Sequence, residues 1–254
     1  MVNRKAISES SYLKASKISK HFNYFFDESF AQKEKVFVDI KNVLEDSYKK
    51  YIKFFNFKNN PIIPVYIYPK LSWLHKECYG KRMPNWCIAG GGAGAVVTID
   101  PSLGSKDRSY KSMINVLSHE LAHEFASIYS DTTQNFFPEW FNEGLAMYLS
   151  NDNVNDKILS KDEKNIILKA LKNDNLPNID FLEVGTNSWS FKKNLSFIFS
   201  ISMIETIINI FGKSMILKIL INPNSDIFKT MKISKNKFER SWHKFLKEKY
   251  KNKF

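Results

Sequence analysis

The chain has 254 residues, 43% hydrophobic with five Trp, and carries 38 Lys+Arg against 26 Asp+Glu for a formal net charge of +12. That length suits one large domain or two small ones with a real core, and the apolar content excludes a wholly disordered chain. Nine Gly and eight Pro exclude collagen and low-complexity classes.

Residues 1–18 are polar and lysine-dotted. They read as a loose arm with no apolar stretch for a secretory signal or membrane anchor, so the expected location is cytoplasmic. His21 to Phe26 (HFNYFF) is short, aromatic and strand-like. From Ser29 to about Phe57 the apolar residues Val36, Ile40, Val43, Leu44, Tyr48, Tyr51 and Phe55 recur at helical spacing. Pro61 to Pro69 holds apolar β-formers bracketed by prolines, which predicts a strand near a sheet edge because Pro cannot donate to a ladder. Residues 70–85 read as mixed helix and loop. They carry Cys78, and Cys87 follows soon after. Two cysteines do not make a disulfide scaffold; two free thiols in a reducing compartment are expected, with pairing across the short loop as the alternative.

Trp86 to Asp100 (WCIAGGGAGAVVTID) combines a glycine run with strand material from Val96 to Ile99. No Gly-Lys-Ser/Thr follows and the glycines lead into a strand, so the phosphate-loop reading fails its context. Ser112 to about Ser130 is a helix with Met113, Val116, Leu117, Leu121 and Phe125 apolar. Pro138 marks the start of another, running from Glu139 to Ser150. Further helices are expected at Ile158–Leu171, Leu195–Phe211, Ser214–Ile221 and Lys235–Tyr250, with Gly212 placed to cap the third of these and polar breaks at 151–156 and 173–178. The stretch Leu195–Phe211 is interrupted by Ser196, Ser200, Ser202, Glu205 and Asn209. It falls short of the roughly 18 apolar residues a membrane span needs, so it reads as a buried helix.

The charge is divided. Residues 229–254 contain ten basic side chains and two acidic ones, whereas Met113 to Leu149 has no Lys or Arg and five acidic residues, Glu120, Glu124, Asp131, Glu139 and Glu143. Only four basic residues are Arg. A Lys-dominated excess points to solvation more than to phosphate or base recognition. In the tail, Phe238, Trp242, Phe245 and Tyr250 are spaced for one packed helix face rather than for a row of stacking platforms, so nucleic acid is disfavoured as a partner.

The acidic middle holds His119-Glu120-Leu121-Ala122-His123. On a helix, i and i+4 share a face, so both imidazoles can reach one metal ion. Glu120 is offset by about 100° and can take a proton from a metal-activated water. The chain has only five His, and the motif lies within a predicted helix that has an apolar face. Two His do not complete a catalytic zinc site, which has three protein ligands and an open position. The metzincin continuation is absent, since EFASIYSDTT follows His123. Further on lies PEWFNEGLA, where Glu143 on a second helix can supply the third ligand. His21, His75 and His243 are isolated and read as structural or surface residues.

HELAH followed by PEWFNEGLA resembles the gluzincin metallopeptidases, the thermolysin-like and aminopeptidase-like MA clan, and is most similar to small peptidase MA-like domains; the resemblance is strong over about Ser112 to Leu149. It implies zinc bound by His119, His123 and Glu143, with Glu120 as general base and a peptide or protein substrate. It also implies an α+β, zincin-like fold: an N-terminal mixed sheet with helices including the metal helix, then a helical C-terminal part. Beyond the arm, 19–254 is then one peptidase domain, with 19–130 the sheet plus metal helix and 131–254 a helical subdomain with the basic tail.

There are departures. Thermolysin-like members have an Asp four residues after the third ligand; here Met147 stands there, and Asn115 is the substitute candidate for orienting a ligand His. The family's oxyanion Tyr on a late helix is missing, where Phe197 and Phe199 stand instead. The amine-gripping Glu of aminopeptidases is absent from AGGGAGAVVTID, which favours endopeptidase over aminopeptidase action. In that segment Gly91, Gly92 and Ala93 are candidates for a substrate-binding wall beside an edge strand, with a tight turn as the equal alternative. Two rival functions stay open: a catalytically inactive zincin-fold binding protein, and a nucleic-acid-associated protein using the basic tail.

Overall fold

A computed structural model describes residues 13–104, 109–132, 137–150, 161–183 and 185–250. Five strands form one sheet in the order β1 (Ala15–Ile18), β2 (Phe22–Phe26), β3 (Ile63–Tyr68), β5 (Val96–Ile99), β4 (Ala89–Gly90). The inner pairs β2–β3 and β3–β5 are parallel, and the outer strands β1 and β4 run antiparallel to their neighbours. This is an α+β protein with a mixed sheet. The chain divides into two compact units, Met1–Gln134 and Asn135–Phe254.

In the first unit, helix α1 (Glu34–Phe55) crosses over between β2 and β3, as a parallel connection requires. It begins later than the apolar spacing suggests, because Glu28–Phe30 forms a separate 3₁₀ turn capped by the Asp27 side chain. It ends at Asn56, whose left-handed backbone (φ 56) lets its N–H bond back to Ile52. The inward stripe Phe37, Ile40, Leu44, Tyr48, Tyr51 and Phe55 is buried. Helix α2 (Leu71–Tyr79) ends at Gly80, and helix α3 (Tyr110–Ser130) is capped by the Ser109 hydroxyl and stopped by Asp131 at φ 51. Strand β5 is buried on both faces. Its Val97 and Ile99 join Tyr68, Leu74, Cys78, Ile88, Ala93 and Met113 in one cluster.

Two expectations are corrected. Residues 15–18 are not part of a loose arm: Ala15–Ile18 pairs with Phe26–Asn23 as β1, while 1–12 lie outside the described residues. The proline-bracketed strand is central, not peripheral. Ile63 donates its N–H to His21 on the β2 side, so Pro64 presents its missing donor on the other side, where pairing with β5 starts only at Val65. A single Pro at the entry of a strand therefore costs no ladder bond.

The second unit is helical in its described residues: α4 (Glu139–Ser150), α5 (Lys161–Lys172), the short α6 (Ile179–Glu183), α7 (Gly185–Phe211), α8 (Lys213–Leu220), the short α9 (Ile227–Thr230) and α10 (Lys235–Tyr250). Gly212 (φ 78) separates α7 from α8. The expected helix start at Ile158 and the break at 151–156 lie outside the described residues. No helix among the described residues is long and apolar enough to cross a membrane.

Candidate metal centre

Helix α3 is fixed about its own axis by the residues just before and after the histidines. The Tyr51 hydroxyl donates to the Ser118 carbonyl at 3.0 Å, and the Ser47 and Ser118 hydroxyls are 2.7 Å apart. Two turns along, the Phe125 ring packs against Tyr48, Tyr51 and Phe55 with centroids 5.2, 5.5 and 5.9 Å away. Ser118, Leu121, Ala122 and Phe125 thus form the buried face. The 100° step of the helix turns His119 and His123 to a second face and Glu120 and Glu124 to a third.

The Nε2 atoms of His119 and His123 lie 3.0 Å apart, with ring centroids 4.6 Å apart and ring planes at 85°. His123 is buried, while His119 and Glu120 are half-buried. Two nitrogens each about 2.0–2.1 Å from one tetrahedral zinc would be separated by about 3.3 Å, so the pair fits a shared ion with little movement.

Glu143 is on α4, half-exposed, on a helix whose Trp140, Phe141, Gly144, Leu145, Ala146 and Leu149 are buried. The Pro138 carbonyl accepts from Phe141 and Asn142 to open that helix. Among the described residues, His119, His123 and Glu143 form a group that could hold a metal ion, with one ligand atom from each lying within 4.8 Å of the others. One turn before Glu143, burial and then the Glu143 charge push the Glu139 carboxyl above its ordinary range. Glu139 was visible only as one acid among five, although its i, i+4 spacing to Glu143 was there to be read. Trp140 stacks near Phe228 and Phe238, so its ring serves the core of its own unit.

The glycine segment has a structural role that spacing did not reveal. A Cβ at Gly91 would sit 2.0 Å from the Glu120 carbonyl oxygen, so only glycine lets the segment lie on the metal helix. Gly92 and Gly94 have φ of 78° and 93°, and both donate their N–H to Glu124 Oε2, at 3.1 and 2.8 Å. Ala93 is buried in the core cluster. Residues 92–95 bend between β4 and β5, with Gly92 tied to α3 through its N–H and Gly91 lying against the α3 backbone.

A phenol also comes near the site from a direction the sequence did not suggest. Tyr79 ends α2, its hydroxyl is 3.5 Å from the Ala89 carbonyl, and burial, then Cys87 and the Glu120 charge, hold it protonated far above its ordinary range. Phe199 is buried edge-on to Trp242 and Asn115 is exposed. The remaining histidines are structural: His21 pairs with Glu45, His75 bridges Cys87 and Met83, and His243 meets the Pro177 carbonyl at 3.1 Å. Cys78 and Cys87 are buried thiols that form no disulfide, and burial pushes the Cys78 thiol up to about 12.

Compared with known protein families and with curated proteins, the chain matches none.

Proposed function

We propose that the chain is a zinc-dependent peptidase of gluzincin type on a zincin-like fold, acting within peptide chains. The observation that carries this reading is the pair of histidines at i and i+4 on a well-anchored helix, with Nε2 atoms 3.0 Å apart and a carboxylate between them in sequence. His119, His123 and Glu143 would hold the ion, and the donor set of two imidazoles and a carboxylate is one that zinc accepts. Zinc there would lower the pKa of a water to roughly 7 and polarise the scissile carbonyl.

The remaining work falls to the chain itself. Glu120 takes the proton of the attacking water and returns it to the leaving amine, a role that its half-buried position beside the two imidazoles allows. The turn after β4 keeps Glu120 fixed through its close approach to the α3 backbone. The segment Met113 to Leu149 that carries these residues contains no Lys or Arg.

The test is peptide-library cleavage read by mass spectrometry, comparing the wild type with Glu120→Gln and measuring the zinc content of both. One zinc per chain in both proteins is expected, with cleavage lower in the variant by roughly a hundred- to ten-thousandfold. Cleavage at the wild-type rate by the variant would remove Glu120 from the reaction. One bound zinc with no cleavage by the wild type would favour a binding role for the same site.

A further inference from the structure

We propose that Glu124 is a positioning residue for substrate: it clamps the edge strand β4 and its glycine turn to the metal helix and so sets where an extended peptide lies relative to His119 and His123. This rests on the peptidase reading above.

The glycine turn is a small anion-binding nest, with two N–H groups at left-handed glycines converging on one point. The anion they hold is the chain's own carboxylate. Glu124 Oε2 accepts from both Gly92 and Gly94, and Glu124 is 1% exposed.

The clamp joins two parts of a site. Glu124 is adjacent to His123 in sequence and one turn from Glu120, on the flank of α3 that meets the turn. The turn directly follows β4, a two-residue strand that pairs antiparallel with β5 and is last in the sheet order, so its outer edge can accept an added strand. Gly91, between β4 and the nest, rests on the Glu120 carbonyl with no room for a Cβ. Strand and proposed base are thereby held in one rigid register.

Strand geometry sets the upper bound of the effect. A peptide slipped by one residue along an edge moves by about 3.3 Å, and misplacement by about 1 Å is enough to cost roughly a hundredfold in rate. Two residues of β4 pairing cannot resist such movement alone, and a charge-assisted pair of hydrogen bonds can.

The experiment uses the full-length zinc protein and its Glu124→Gln variant. Gln keeps the shape but replaces a charged acceptor with a neutral one. Two peptides share one scissile bond, one long enough to run along β4 and one truncated beside the bond. Amide exchange at Gly92 and Gly94 is followed in parallel. We expect unchanged zinc content and about tenfold faster exchange at the two glycine amides. For the long peptide, kcat/KM falls about tenfold; for the truncated one it changes by less than about twofold. Glu124→Asp, which keeps the charge but withdraws it by one methylene, should shift both readouts the same way and gives the same test if the Gln protein does not fold. Equal losses on both peptides, or unaltered glycine exchange, would overturn the positioning role and leave the peptidase reading standing. A wild type that cleaves neither peptide would overturn both.

Discussion

Gly144 stands next to the proposed ligand Glu143, and its environment shows how little room a single position leaves. A Cβ there would lie 2.6 Å from the Ser200 carbonyl oxygen and 2.8 Å from its carbon, because α4 rests directly on α7. On an open helix, Gly→Ala stabilises by about 0.5–1 kcal/mol. Overpacking against a backbone that cannot yield costs about 1–3 kcal/mol, so the packing effect should win. Gly144→Ala is expected to lower the urea midpoint at unchanged slope; a midpoint that rose would show that α4 and α7 have slack. The glycine of the Asn-Glu-Gly motif is therefore explained by packing, as Gly91 is by its approach to Glu120. Both glycines were legible as special positions, since glycine in a helix or beside a strand asks for a reason. What they touch was not legible, because a close backbone approach depends on a partner about thirty or more residues away in the chain. The same limit hid Glu124: its i, i+1 relation to His123 carried no signal that its acceptors would be filled by two distant N–H groups.

At the level of elements, the join between β1, β2 and α1 depends on one carboxylate. Glu45 on α1 accepts from the Ser19 hydroxyl at 2.6 Å, from the His21 N–H at 3.2 Å and from His21 Nδ1 at 2.6 Å; the His21 ring stacks on Tyr48 at 3.9 Å. Burial alone would raise the Glu45 carboxyl, but the hydrogen bonds from Ser19 and His21 outweigh it and hold the pKa below its ordinary value. A carboxyl lowered by folding adds stability that is present above its unfolded pKa, about 4.3, and is lost as pH falls through the folded value. Glu45→Gln is expected to cost about 1–2 kcal/mol near neutral pH, and the gap to wild type should close as the solution is acidified below about pH 4.3. Thermal unfolding across that range checks it; a gap that stayed constant would mean that Glu45 acts through shape and not charge. Helical periodicity marks α1, an aromatic run marks β2 and β-branched runs mark β3 and β5, because each buries a regular face. β1 was missed because ASKI has no distinctive composition and becomes a strand only through its pairing with β2. The central place of β3 was missed because Pro64 looks forbidden until the direction of its absent N–H is known.

Across the whole molecule, a net charge of +12 falls unevenly, and the basic tail raises the question of an acidic partner. Its aromatic residues answer part of it. Phe238, Trp242, Leu246 and Tyr250 form one buried stripe on α10, with Leu246 in the place the spacing assigned to Phe245, which is half-buried. The Trp242 indole donates to the Ser202 hydroxyl at 2.9 Å on α7 and is fully buried. These rings hold the helical unit together and are not available to stack on bases. Three of the lysines are on the other side: Lys237, Lys244 and Lys247 are exposed, and the pairs Lys244–Glu248 and Lys247–Asp174 are loose contacts at 3.7 and 3.6 Å, whereas Lys249 donates to both oxygens of the buried Glu205 on α7. Exposed pairs of that kind contribute little. The two halves of the helix can therefore be separated by experiment. Trp242→Ala should cost about 3–5 kcal/mol by removing a buried ring and the indole's hydrogen bond to the Ser202 hydroxyl, which still donates to the Phe199 carbonyl, with loss of cooperative unfolding in the second unit. The triple change of Lys237, Lys244 and Lys247 to Gln should leave stability within about 0.5 kcal/mol. Salt-dependent retention on DNA that the triple variant lost, with Trp242→Ala still folded, would make the tail a nucleic-acid arm. Unfolding by Trp242→Ala with no such retention in wild type would make it a structural helix whose charge keeps its outer face in water.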